Sequence, residues 1–214
     1  MDYTKITESD FFKNTYSQIE NLKKDFPVNH GFVHIYHVIE NGKHIAKVFG
    51  LDDKQTNQLL VACALHDIGY IKGRHDHAKN GGEFSRDVLK NFGFNQFDVE
   101  VISNAISNHG GDDESCYKDA ISRCLVLSDK LDFIKSRYKF WENYNYGTMA
   151  YFHIEKTFLS FENKKLILHI VHDGWENIQE FMQGSFCQKL KTCLDLASKS
   201  LNATYDIVLE KIYT

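Results

Sequence analysis

The sequence predicts a mainly α-helical fold, a helical bundle followed by a small C-terminal β hairpin or sheet plus a helix. Three observations carry this. Only one proline, Pro27, occurs in 214 residues, so forced helix breaks are few. Apolar residues recur at helical intervals as far as about residue 140. Near residue 145 the pattern changes to alternation, the signature of strands. We therefore expect a helical core over 1–142 and an α+β extension over 143–214, packed on that core.

The elements follow in order. Residues 8–24 place Phe11, Phe12, Tyr16, Ile19 and Leu22 on one helical face. Pro27 separates this helix from the next, roughly 31–49, where Phe32, Ile35, Val38, Ile39, Ile45 and Val48 form the stripe and Gly50 stands as C-cap. Asp52 or Asp53 caps a third helix whose second half, LLVACAL, is apolar all round and must therefore be central. Residues 69–76 read as a loop, 77–91 and 97–109 as helices, and 117–140 as one or two more. YFHIEKTFLSF and LILHIV, separated by ENKK, predict a hairpin. Residues 176–200 return to helical spacing, and YDIVLEKIY predicts a last strand.

Composition narrows the function. Hydrophobic residues at 43% and charged residues at 25% are those of a globular chain. The 25 basic residues against 29 acidic give a net charge of −4, with no global field for a nucleic-acid polymer. No run approaches the ~20 apolar residues of a membrane span. The N-terminus lacks the features of a signal peptide, and the five cysteines form no CxxC pair. A reducing cytoplasm is the expected setting.

Histidine is the unusual component: eight of 11 lie between residues 30 and 109. His66 and Asp67 are adjacent at the end of the most apolar helix, His34 lies mid-helix among apolar neighbours, and Asp129 sits inside the apolar run LVLSDKLD. A buried carboxylate beside imidazoles costs free energy unless it is paired or bound to a metal. Two imidazoles and two carboxylates from three helices suit a divalent cation, among Mn, Fe, Mg, Co, Ni and Zn.

His34, the pair His66-Asp67 within ALHDIGY, and Asp129 within LSDKLD resemble the H…HD…D signature of the HD-domain metal-dependent phosphohydrolases. HGFVHIYHV looks like the family's HDxxHxxRV, in which the second histidine is the ligand, and so selects His34 over His30 and His37. The resemblance covers about residues 28–140 and implies an all-α bundle. HAKNGG, beginning at His77, resembles the HPxxGA segment of six-ligand members, and His109 resembles the histidine that follows it. That implies a second ion held by His77 and His109, with Asp67 bridging. The sequence departs from several subfamilies: it has no GYP motif and no glutamate-aspartate pair after the HD. Tyr70 stands where the deoxynucleotide 5'-phosphatases carry an acid, and His37 stands where arginine is frequent.

The function this implies is hydrolysis of a nucleotide or other small phosphate ester, as a phosphomonoesterase or phosphodiesterase, by attack of a metal-bound hydroxide. Asp67, Lys72 and Arg74 are the expected catalytic residues, and His37, His75 and Lys130 the expected substrate contacts. A homodimer is compatible with this reading. Two alternatives stay open: a di-iron oxygenase and a non-catalytic nucleotide-binding regulatory module. His153, His169 and His172 read as structural or surface residues. Tyr138, Phe140, Trp141, Tyr144 and Tyr146 read as a packing surface between core and tail.

Overall fold

The computed structural model describes residues 2–22, 30–138 and 149–212. Pro27, Phe140, Trp141, Tyr144 and Tyr146 lie outside the described residues.

The helical part runs α1 (Thr4–Thr7), α2 (Asp10–Leu22), α3 (Phe32–Val48), α4 (Asp53–Leu65), α5 (His77–Asn91), α6 (Gln96–Asn108) and α7 (Ala120–Lys130). α4 is the central helix. Every residue from Gln58 to Leu65 is buried, and α3, α6 and α7 pack around it. Its start is fixed by a capping box. The Asp52 side chain accepts from the Gln55 backbone N–H at 2.8 Å, and the Gln55 side chain returns the contact. Tyr16 of α2 donates its hydroxyl to the Ala64 carbonyl at 2.8 Å, tying α2 to the end of α4.

Two segments differ from expectation. Part of the predicted loop 69–76 is a 3₁₀ turn, Ile68–Lys72. Of the one or two helices expected over 117–140, the described residues hold one, which ends at Lys130, and a 3₁₀ turn follows at Lys135–Arg137. Tertiary contacts override the helical periodicity there. Asp132 is drawn to two histidines of α3, and its carbonyl accepts from Arg137 Nη1 at 2.6 Å. The apolar residues past the break still pack inward: Phe133 is fully buried and stacks on Phe181 at 5.3 Å.

Among the described residues the first strand begins at Ile154. β1 (Ile154–Glu162) and β2 (Lys165–His172) form the antiparallel hairpin, and β3 (Thr204–Lys211) pairs parallel to β2. Asn163 and Lys164 both take positive φ, 51° and 60°, as a two-residue hairpin turn of matching twist demands. The parallel pairing needs a crossover, supplied by α8 (Ser185–Ser200), which buries Cys187, Leu190, Cys193, Leu194 and Ala197. The sheet is fastened to the bundle by polar contacts: His44 of α3 donates from Nε2 to the Leu159 carbonyl at 2.7 Å, and Thr157 donates its hydroxyl to the Leu131 carbonyl.

Candidate metal centre

α3, the end of α4, the start of α5, the end of α6 and the end of α7 meet at one place. There His34, His66, Asp67 and Asp129 converge. His34 Nε2 and His66 Nε2 are 3.1 Å apart. Asp67 Oδ2 lies 3.4 Å from each, and Asp129 Oδ1 lies 3.3 Å from His34 and 3.7 Å from His66. The other carboxylate oxygen of Asp67 faces a second pair. Asp67 Oδ1 is 3.8 Å from His77 Nε2 and 3.6 Å from His109 Nε2, and those two nitrogens are 3.1 Å apart.

These separations fit a cation. Ligand atoms about 2.0–2.2 Å from an ion in tetrahedral or octahedral arrangement stand roughly 3.0–3.6 Å from one another. The tautomers fit as well. Nδ1 of His66, His77 and His109 each meets a backbone carbonyl, of Cys63, Arg74 and Ile106 respectively, at 2.9, 3.1 and 2.7 Å. A carbonyl only accepts, so these Nδ1 atoms carry the proton and turn Nε2 toward the cluster. Within each Nε2···Nε2 pair at most one nitrogen can donate to the other, and three overlapping groups, His34–His66–Asp129, His66–Asp67–His109 and His30–His34–Asp67, bring ligand atoms close enough to hold a divalent cation, with His77 Nε2 beside the second. His34, His66, Asp67, Asp129 and His109 are all buried.

Local geometry explains how His77 reaches the site. Gly73, at φ 112°, turns the chain after the 3₁₀ turn, and Gly69 packs directly against the first turn of α5. A Cβ at Gly69 would lie 2.0 Å from the His77 carbonyl oxygen. Gly69→Ala is therefore expected to displace α5 and lower metal-free stability by about 1–3 kcal/mol, as overpacking does. Urea unfolding indistinguishable from wild type would contradict this close packing.

Charge inside the site is set by burial against pairing. Burial and the Arg137 charge push the His34 pKa down, but hydrogen bonds to Asp129, Asp132 and Asp67 win and raise it to about 10. Burial raises the Asp67 and Asp129 carboxyls, yet neighbouring groups hold both well below the usual carboxylate range: the His66 and His30 imidazoles for Asp67, the Lys130 ammonium for Asp129. Burial, then the neighbouring His109, lowers His77 to about 4. The consequences for stability have opposite signs. A raised histidine stabilises the fold fully below its ordinary 6.5 and progressively less as pH climbs toward 10. A lowered histidine costs stability as pH falls from 6.5 toward 4, and the carboxylate contributions vanish at still lower pH. Metal-free protein is thus expected to melt highest near pH 6.5 and lower on both sides. A melting temperature that rises steadily from pH 5 to 9 would contradict the His34 assignment.

A cavity of about 140 Å³ opens beside the cluster, lined by His30, Asp67, Tyr70, His77, His109, Asp129, Lys130, Arg137 and Phe186. Its cations are Lys130 and Arg137. Lys130 Nζ pairs with Asp129 Oδ2 at 2.6 Å. Arg137 was not expected from the sequence, because 135–137 read as plain helix. Phe186 was missed because it lies on α8, far along the chain, where it packs near Phe133 and Tyr151. His30, passed over in favour of His34, brings Nδ1 to 2.9 Å from Asp67 Oδ2. Its ring and that of His77 flank Tyr70, at 4.5 and 4.3 Å.

Four expected site residues are not brought together with these. Lys72, Arg74 and His75 are exposed and absent from the cavity wall. The fold-back that brings His77 in leaves this short loop in solvent, where His75 pairs with Asp76 at 2.7 Å. His37 is also absent from the wall, its Nδ1 held by Asp132 Oδ1 at 2.9 Å. The three late histidines are distributed over the sheet and its end. His172 is buried, His153 pairs with Asp173 at 2.8 Å, and His169 bridges Ser160 and Glu210.

Residues 31–134 match the family model described as HD domain, the superfamily whose H…HD…D signature the sequence resembles. The chain is similar to a solved structure described as a predicted HD superfamily hydrolase from an uncultured Thermotogales bacterium, at 26% identity and a TM-score of 0.46, over 63% of this chain and 75% of that one. No curated protein matches. Among the described residues no helix is long and apolar enough to cross a membrane.

Proposed function

We propose that the protein hydrolyses a small phosphate ester, nucleotides among the candidates, at a centre that takes two divalent ions. His34, His66, Asp67 and Asp129 would hold one ion, and Asp67, His77 and His109 the other. The observation that carries this reading is the division of Asp67, one oxygen toward each histidine pair. Such ions supply Lewis acidity toward a phosphoryl oxygen and lower the pKa of a coordinated water.

The chain's own residues supply the rest. Lys130 and Arg137 place positive charge at the cavity wall, where the non-bridging oxygens of a phosphate need it. Burial pushes the Lys130 pKa down, but Asp129 more than offsets this and keeps the ammonium charged. Burial, with the charges of Asp67 and Asp129, holds the Tyr70 phenol protonated, so the wall carries a neutral hydroxyl there. His30 donates from Nδ1 to Asp67 Oδ2 and thereby orients that carboxylate. The segment 143–214, which we take as an extension packed on the core, contributes Phe186 to the cavity wall.

The test is metal analysis of protein purified without added metals, followed by a screen of phosphomonoesters and phosphodiesters. Stoichiometric divalent metal with turnover of at least one ester is the expected result. Metal-free protein with no turnover after Mn, Fe, Co, Ni, Zn or Mg is supplied would refute it. The His77–His109 pair also favours a second reading, a di-iron oxygenase, which iron-dependent oxygen uptake without ester turnover would identify.

A further inference from the structure

Asp132 is the most deeply buried carboxylate next to the centre, with a side chain fully shielded from solvent, yet it faces neither the inward nitrogens nor the cavity. Its two oxygens are both engaged by α3. Oδ2 accepts from His34 Nδ1 at 2.6 Å and Oδ1 from His37 Nδ1 at 2.9 Å. Its backbone carbonyl accepts from Arg137 Nη1 at 2.6 Å, and Arg137 Nε lies 3.7 Å from Oδ2. His66, His77 and His109 use backbone carbonyls for the same purpose, so His34 is the one proposed histidine ligand whose outer nitrogen meets a charged partner.

We propose that Asp132 is the positioning residue of this centre: its carboxylate fixes the tautomer and ring orientation of His34, and its carbonyl docks the guanidinium of Arg137 at the cavity wall. This rests on the metal-centre reading above. A carboxylate can only accept, so it keeps the His34 proton on Nδ1 and leaves Nε2 for the ion. The same residue therefore connects the metal-facing ring to the anion-facing cation, although it touches neither metal nor substrate.

The experiment uses Co(II) added to the full metal-free chain, with affinity from titration and coordination from the visible spectrum. Asp132→Asn has one acceptor oxygen for two Nδ1–H groups and an amide NH₂ able to reverse the His34 tautomer. It is expected to weaken Co(II) binding about 10–100-fold and to shift the visible bands. In a His34→Ala background the same substitution is expected to change affinity by less than about twofold, because the residue acts through that ring. Equal losses in both backgrounds would mean a general structural role and overturn the proposal. Unchanged affinity and bands in the single variant would do the same. If the variant fails to fold, nitrogen-resolved NMR of zinc-loaded wild type decides: a proton on His34 Nδ1 supports the assignment, and a proton on Nε2 overturns it. Wild type that binds no Co(II) would overturn the metal centre itself, a result distinct from failure of the Asp132 role.

Discussion

Asp67→Asn is expected to lower ester turnover by at least about 10²–10³-fold, the scale of losing one preorganised electrostatic group in a buried site. The effect should be large because Asp67 serves both nitrogen pairs, through different oxygens. Asparagine keeps the shape but offers one neutral oxygen, and its amide hydrogens would face one of the pairs. Both affinity and stoichiometry of metal should fall, and metal counting on dialysed protein reads this directly. Metal-free stability should fall as well, because the surrounding imidazoles more than offset the desolvation of the wild-type carboxylate and favour its charged form in the fold. A large drop in the metal-free melting temperature, with metal content preserved, would make Asp67 a structural residue.

His109→Ala is the second large effect, and it separates one ion from two. His109 ends α6, is almost fully buried, and places Nε2 3.6 Å from Asp67 Oδ1. The substitution keeps His34, His66 and Asp129 as ligands and removes only the edge contact of the His109 ring with His66. We expect the metal count to fall from two to one and turnover to fall roughly 10²-fold. Unchanged count and unchanged turnover would leave a mononuclear centre and remove His109 from it.

Much of the architecture was legible in the sequence because local periodicity and caps agree with the packing. The predicted helix over 77–91 matches α5, and the apolar run LLVACAL is the buried half of α4. The hairpin and the last strand also lie where alternation placed them, but parallel pairing of β3 is a tertiary fact that no local pattern encodes. The end of α7 escaped the reading for a similar reason. Periodicity continues through Phe133 and Ile134, and contacts reaching back to α3 break the helix.

The site divides in the same way. His34, His66, Asp67, Asp129, His77 and His109 announce themselves by placing polar groups on apolar helices or at their ends. The cavity's cations do not. A loop with Lys72, Arg74 and His75 looks like an anion clamp, but its side chains are exposed and lie outside the cavity wall, and Arg137 enters from a segment that sequence alone assigns to a helix face. Phe186 could be found only once the crossover had brought α8 to the bundle.

That crossover has a kinetic meaning. The residues that face one another across the proposed ions are far apart in the chain: His34 and Asp129 are 95 positions apart (129 − 34), whereas Lys165 of β2 pairs with Thr204 of β3 across 39 (204 − 165). The longer closure is the slower event in refolding. The crossover through α8 is therefore the shorter closure, and the ion-facing cluster is the last part to finish. Refolding followed by the burial of α8 should run ahead of refolding followed by Co(II) colour.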